Sequence, residues 1–170
     1  MPPRLHESTE KRTFAVLVDN EPGVLARVVG LFAARGYNIE SLTVAETDTA
    51  AHVSRITIVT SGTALILEQI RAQLERMVSV RAVQDVSRDS LGLERELALI
   101  KVRGKGEDRA EALRLADIFR AKVIDTSLES FVFELTGAPS KIDQFVRLMA
   151  PIGLVEMSRT GVLSLTRGVG

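Results

Sequence analysis

Residues 13–42 read TFAVLVDNEPGVLARVVGLFAARGYNIESL, and three structural signals succeed one another within them. Phe14, Val16 and Val18 alternate with Ala15 and Leu17, so both faces are apolar and the run predicts a strand buried on both sides. Asp19-Asn20-Glu21-Pro22-Gly23 interrupts it, with Asp19 or Asn20 as candidate N-cap and Pro22 suited to a first helical turn. Val24, Leu25, Val28, Leu31 and Phe32 then recur at helical spacing, and Gly36 ends the helix after Arg35. Ile39 to Val44 reads as the next strand.

Outward from this start, Glu46 to Ala51 is a polar hairpin connection and Arg55 to Thr60 a third strand, with Ile56 and Ile58 facing inward. Leu67, Ile70, Leu74 and Met77 line one face of an amphipathic helix, with Glu68, Arg71, Glu75 and Arg76 outside. Val80 to Val86 closes the unit in the order βαββαβ. Ser87 to Glu96 is charged, shows no sustained period, and reads as a linker. The order then repeats: strand Leu97–Val102, helix Arg109–Phe119, strands Lys122–Asp125 and Phe131–Thr136, and a helix carrying Ile142, Phe145 and Met149. Ser140 and Asp143 are placed as a capping box for that helix. Leu154–Ser158 and Val162–Leu165 finish the second sheet.

The expected fold class is therefore α+β, two consecutive ferredoxin-like βαββαβ domains. The expected boundaries are a frayed tail over 1–12, a first domain over 13–86, a linker over 87–96 and a second domain over 97–170. Domains of about 75 residues are marginal alone, which favours pairing of sheets or subunits.

Composition narrows the function. The chain's 22 basic and 22 acidic residues cancel, which excludes a general binder of nucleic acid or anionic membrane. The absence of cysteine excludes disulfide scaffolds, thiol nucleophiles and the common zinc sites. The first residues, MPPRLHESTEKR, lack the apolar core of a secretory signal, and a cytoplasmic protein is expected. His6 and His52 are the only histidines and His6 lies in the tail, so no Ser-His-acid or Cys-His constellation can be assembled within one subunit around more than His52, which reads as a solvated turn residue. Arg103-Gly104-Lys105-Gly106 lacks the spacing and the Lys-Ser/Thr ending of a phosphate loop and reads as a strand-to-helix turn. No catalytic or metal-ligating residue is assigned.

The chemistry that is present lies at the first helix start. The first turn of a helix has free backbone N–H groups and the positive end of the macrodipole, a natural seat for a carboxylate. Gly23 lets a ligand approach that backbone, Asn20 offers an amide, and an aliphatic tail would fit beside Val24 and Leu25. The same residues also serve as a plain cap and turn, so physics alone leaves both readings open.

The Asn-Glu-Pro-Gly-Val-Leu turn, and above all Arg35-Gly36-Tyr37-Asn38-Ile39-Glu40-Ser41-Leu42, resemble the ACT domain of the small regulatory subunit of acetolactate synthase (acetohydroxyacid synthase). Arg95 to Val102, Ile118 to Ala121 before Val123-Ile124-Asp125, Ser158 to Gly161 and Leu165 to Gly168 extend the resemblance from about Thr13 to Gly168. It implies a homodimer through paired ACT domains with a branched-chain amino acid at the interface, valine being the usual inhibitor. Asn20, Gly23, Val24 and Leu25 would meet the effector from one subunit, and Asn38 and Ile39 from the partner. The resemblance further implies no cofactor on this chain. Thiamine diphosphate, Mg and FAD belong to a separate large catalytic subunit, which this chain would activate and make sensitive to feedback. Three rival readings compete with it: a free-standing ACT-domain amino-acid sensor, a nickel-repressor-type metal sensor, and a small enzyme using carboxylates alone. The metal sensor is disfavoured by the lack of His and Cys in the second half, and the enzyme by the lack of paired acids at a strand end.

Overall fold

β1 (Glu10–Asp19) is the spine of the first sheet, running between β3 (Val53–Gly62) and β4 (Val80–Asp85), with β2 (Ile39–Asp48) at the outer edge beyond β3. The computed structural model describes residues 8–88 and 92–169. α1 (Val24–Ala34) and α2 (Ala64–Glu75) join the strands and cover one face. All pairings in this sheet are antiparallel, and the order is β2-β3-β1-β4. Phe14, Val16 and Val18 face Ile58 and Ile56 across the β1–β3 register and pack with Val28, Phe32, Leu67, Ile70 and Leu74 into an aliphatic core. The 3.6-residue period of α2 places its three buried residues, Leu67, Ile70 and Leu74, on that core, and Thr63 caps it by accepting the Ile66 N–H at 3.3 Å.

The second unit repeats the plan with β5 (Gly92–Arg103), α3 (Glu107–Phe119), β6 (Lys122–Thr126), β7 (Ser130–Gly137), α4 (Pro139–Gly153) and β8 (Leu154–Arg159), in sheet order β6-β7-β5-β8. Ala98, Ile100 and Val102 of β5 and Phe131, Phe133 and Leu135 of β7 face Ile142, Phe145 and Met149 of α4. By its internal packing the chain divides between Leu93 and Glu94, and the residues from Ser164 onward group with the first unit. There Arg55 donates to the Ser164 carbonyl at 2.7 Å, at the head of β9 (Leu163–Thr166).

Several expectations need correction. The tail expected over 1–12 ends earlier, because Glu10, Lys11 and Arg12 already belong to β1. Arg12 is only 6% exposed and is ion-paired with Glu10, Glu68 and Asp85, so distant carboxylates draw this polar segment into the sheet. The first seven residues of that expected tail lie outside the described residues. The linker expected over 87–96 shrinks because β5 begins at Gly92, and its residues 89–91 also lie outside the described residues. The N-cap of α1 is Gly23, not Asp19 or Asn20, and Pro22 precedes the helix. Asp19 is instead committed to Arg81 at 2.5 Å. Ser140 and Asp143 form no capping box: α4 starts at Pro139, whose missing N–H suits a first helical position, and Asp143 bonds Arg159.

Candidate functional site

Where β1 ends, the backbone makes a fixed corner before α1 begins. The Asp19 N–H bonds the Ser79 carbonyl at 2.9 Å, the Asn20 N–H bonds the His52 carbonyl at 2.7 Å, and the Val24 N–H bonds the Glu21 carbonyl at 3.3 Å. Gly23 completes the corner at φ 84°, a left-handed conformation that costs other residues about 1 kcal/mol or more. A helix opened in this way leaves its first N–H groups without intrahelical partners. Among the described residues, the N–H groups of Leu25 and Ala26 have no acceptor, and no side chain caps the helix. Those two donors and the dipole of an eleven-residue helix point at an open surface.

The four residues expected to act together do sit together. Asn20 and Gly23 are exposed, and the Asn20 amide makes no hydrogen bond among the described residues. Val24 is anchored in the core at 4% exposure, and Leu25, at 41%, stands out beside the free donors. A carboxylate fits the N–H groups, an ammonium or a second carboxylate oxygen fits the Asn20 amide, and an aliphatic side chain fits Leu25.

Asn38 and Ile39 are elsewhere. Ile39 opens β2 opposite Thr60, at the far end of β3 from Val53, which pairs with Asp19. Seven residues of strand separate the two ends, about 23 Å at 3.3 Å per residue. The Asn38 carbonyl accepts from Thr60 Oγ1 at 2.5 Å, which fixes the strand start, and the Asn38 side chain is exposed. Beside it, the Glu40 carboxyl is held below the ordinary carboxylate range, first by the Lys11 ammonium at 2.8 Å and then by the Ser61 hydroxyl. One chain therefore cannot bring both groups of residues to one ligand.

Two residues around the corner, Arg27 and Ser79, were not anticipated. Arg27 donates to Ser79 Oγ at 2.8 Å and lies 3.9 Å from Glu21, and its guanidinium also stands 3.9 Å from where a Gly23 Cβ would be. Ser79 lies 52 residues from Arg27, and no local pattern announces the pair. His52, expected as a solvated turn residue, is exposed at φ 51° and contributes its backbone carbonyl rather than its ring. Among the described residues, no group of three or more His, Cys, Asp or Glu is arranged to hold a metal ion.

With that geometry in view, comparison with known proteins is decisive. The model of an AHAS small subunit-like ACT domain matches residues 14–82, and that of the small subunit of acetolactate synthase matches residues 95–168. The chain belongs to the acetolactate synthase small-subunit family. The probable acetolactate synthase small subunit of Archaeoglobus fulgidus is 46% identical over 158 residues, covering 93% of this chain and 98% of the relative. The acetolactate synthase isozyme 3 small subunit of Escherichia coli is 42% identical over 159 residues, covering 93% and 96%. The crystal structure of the acetolactate synthase small subunit from Thermotoga maritima superposes with a TM-score of 0.83 at 40% identity, covering 95% of this chain and 99% of that one. The α+β reading with an ACT domain first is thereby shown, and family membership makes this chain a regulatory small subunit rather than the catalytic one. No helix among the described residues is long and apolar enough to cross a membrane.

Proposed function

We propose that this small subunit docks on the large catalytic subunit of acetolactate synthase, raises its activity, and transmits feedback inhibition by a branched-chain amino acid, valine foremost. The observation that carries the effector site is the β1–α1 corner: two unpartnered N–H groups, a glycine whose Cβ position meets nothing closer than the Arg27 guanidinium at 3.9 Å, and an uncommitted Asn20 amide beside an exposed leucine. Asn20, Gly23, Val24 and Leu25 hold the amino acid from one chain, and Asn38 and Ile39 of a second chain complete the site.

The sheet edge supports this division. β2 is the outer strand, ten residues long and mostly exposed along its second half, an unprotected edge that a second copy can pair with. Antiparallel pairing of two such edges sets the start of one β2 against the end of the other. The partner's Asn38–Ile39 end then lies at the same end of the joined sheet as the first chain's corner. The effector thus acts as a contact between two subunits, and it shifts the holoenzyme only by binding one arrangement more tightly than the other. Typical couplings of this kind are about 1–3 kcal/mol. Thiamine diphosphate, Mg and FAD stay with the catalytic subunit, which performs the chemistry.

The test is co-expression with a large catalytic subunit supplied with those three cofactors. Co-purification, a rise in acetolactate formation and inhibition on adding valine are expected. A chain that binds branched-chain amino acids but neither co-purifies with the catalytic subunit nor changes its rate would instead be the free-standing sensor.

A further inference from the structure

The second unit carries a cavity that the effector reading does not use. It measures about 470 Å³, within the size range of small-molecule sites, and lies over the end of β5. Lys101 and Arg103 form one wall, the turn Ser127–Ser130 the second, and Val155 of β8 the third. A smaller cavity of about 200 Å³ shares Lys101 and continues the groove along β5 between Leu99 and Val132.

Charge singles out Arg103. Lys101 is neutralised by Glu156 at 2.7 Å, and Lys105 next to the cavity is neutralised by Glu129 at 2.6 Å. The Arg103 guanidinium makes no ion pair or side-chain hydrogen bond among the described residues, so the site carries one uncompensated positive charge in a fork suited to a carboxylate. The walls are preformed. Ser127 Oγ accepts the N–H groups of Glu129 at 3.2 Å and Ser130 at 3.0 Å, and Arg109 holds the Ser127 carbonyl at 2.9 Å while lying 4.0 Å above the Phe131 ring. On the opposite side, a Cβ on Gly153 would stand 2.3 Å from the Arg103 carbonyl oxygen. Only glycine lets the α4–β8 junction close there and set Val155 against the cavity. Leu128 and Val155 are 91% and 49% exposed, apolar surface that a ligand would cover. The bonded Ser127–Ser130 turn lowers the ordering cost of binding on that side.

We propose that this cavity binds a small aliphatic monocarboxylate, its carboxylate on Arg103 and its hydrocarbon against Leu128 and Val155. The single spare charge, with Glu129 and Glu156 close by, selects a monoanion over a phosphate dianion. The site is independent of the amino-acid corner in the first unit.

The test is calorimetric and amide-NMR titration of the full chain with isovalerate, with isovaleramide and inorganic phosphate as comparisons. The expected result is saturable isovalerate binding in the millimolar range with shifts at Arg103, Ser130 and Val155, and no binding of the amide. Arg103→Gln should weaken binding by about tenfold or more while the melting profile is unchanged. Gly23→Asp, which strikes the valine corner, should leave it intact, so the two sites fail separately. Absence of saturable isovalerate binding, equal binding of isovaleramide, displacement by phosphate, or full affinity in Arg103→Gln overturns the proposal.

Discussion

Gly23→Asp should abolish inhibition by valine while leaving activation of the catalytic subunit intact. An aspartate Cβ at this position meets nothing closer than the Arg27 guanidinium at 3.9 Å, so the side chain has room. The backbone there is left-handed at φ 84°, which aspartate tolerates better than most residues, and the strain is about 1 kcal/mol. The new carboxylate sits where the effector's carboxylate is expected, within reach of the free donors of the first turn and next to Arg27. It therefore competes from within the chain at a local concentration no free amino acid reaches. The loss should exceed about a hundredfold in apparent valine affinity, or about 2.8 kcal/mol. Activity of the reconstituted holoenzyme against valine concentration reads both properties at once, and an unchanged inhibition curve would remove the corner from the effector site.

The second large effect is on stability. Arg159→Leu should lower the unfolding free energy of the second unit by about 3 kcal/mol at neutral pH. Arg159 grips Glu96 through two bonds, at 2.8 and 2.7 Å, and reaches Asp143 on α4 at 2.6 Å, so it ties β5, β8 and α4 together. The Arg159 pKa is pushed above its ordinary value chiefly by the Glu96 hydrogen bonds. Glu96 is only 4% exposed, and without the guanidinium its carboxylate is stranded out of water. Denaturant unfolding of Arg159→Leu and of the Glu96→Gln/Arg159→Leu double variant measures the loss. The double variant should recover part of the loss, and a single-variant loss under about 1 kcal/mol would show that the pair does not anchor the unit.

Much of this architecture is legible in short-range periodicity. The alternation from Phe14 to Val18 and the 3–4 spacing of Leu67, Ile70 and Leu74 put those residues into the core where expected, because each pattern reports a face that must leave water. What escaped the reading depends on partners far along the chain. Arg12 enters a strand because Glu68 and Asp85 lie beside it, and Asp143 leaves its helix cap because Arg159 claims it. Asn20 does not cap α1, because the His52 carbonyl and the Gly23 turn organise the corner. For the proposed effector site, the turn from Asn20 to Leu25 stands out in the sequence, whereas Arg27 and Ser79 become neighbours only after folding. The distance between Asn38 and the corner follows from the β1–β3 and β2–β3 registers, which no local pattern reveals.

The central claim is that the effector site is completed by a second copy of the chain. Two variants that each fail to bind valine, Gly23→Asp and Asn38→Ala, test it when unfolded together and refolded as a mixture. In a mixed dimer one site carries both defects, and the other combines an intact corner with an intact Asn38. Random pairing of equal amounts should therefore restore about a quarter of the wild-type valine-binding capacity at wild-type affinity. A mixture that binds no more valine than the two variants measured separately would contradict a shared site.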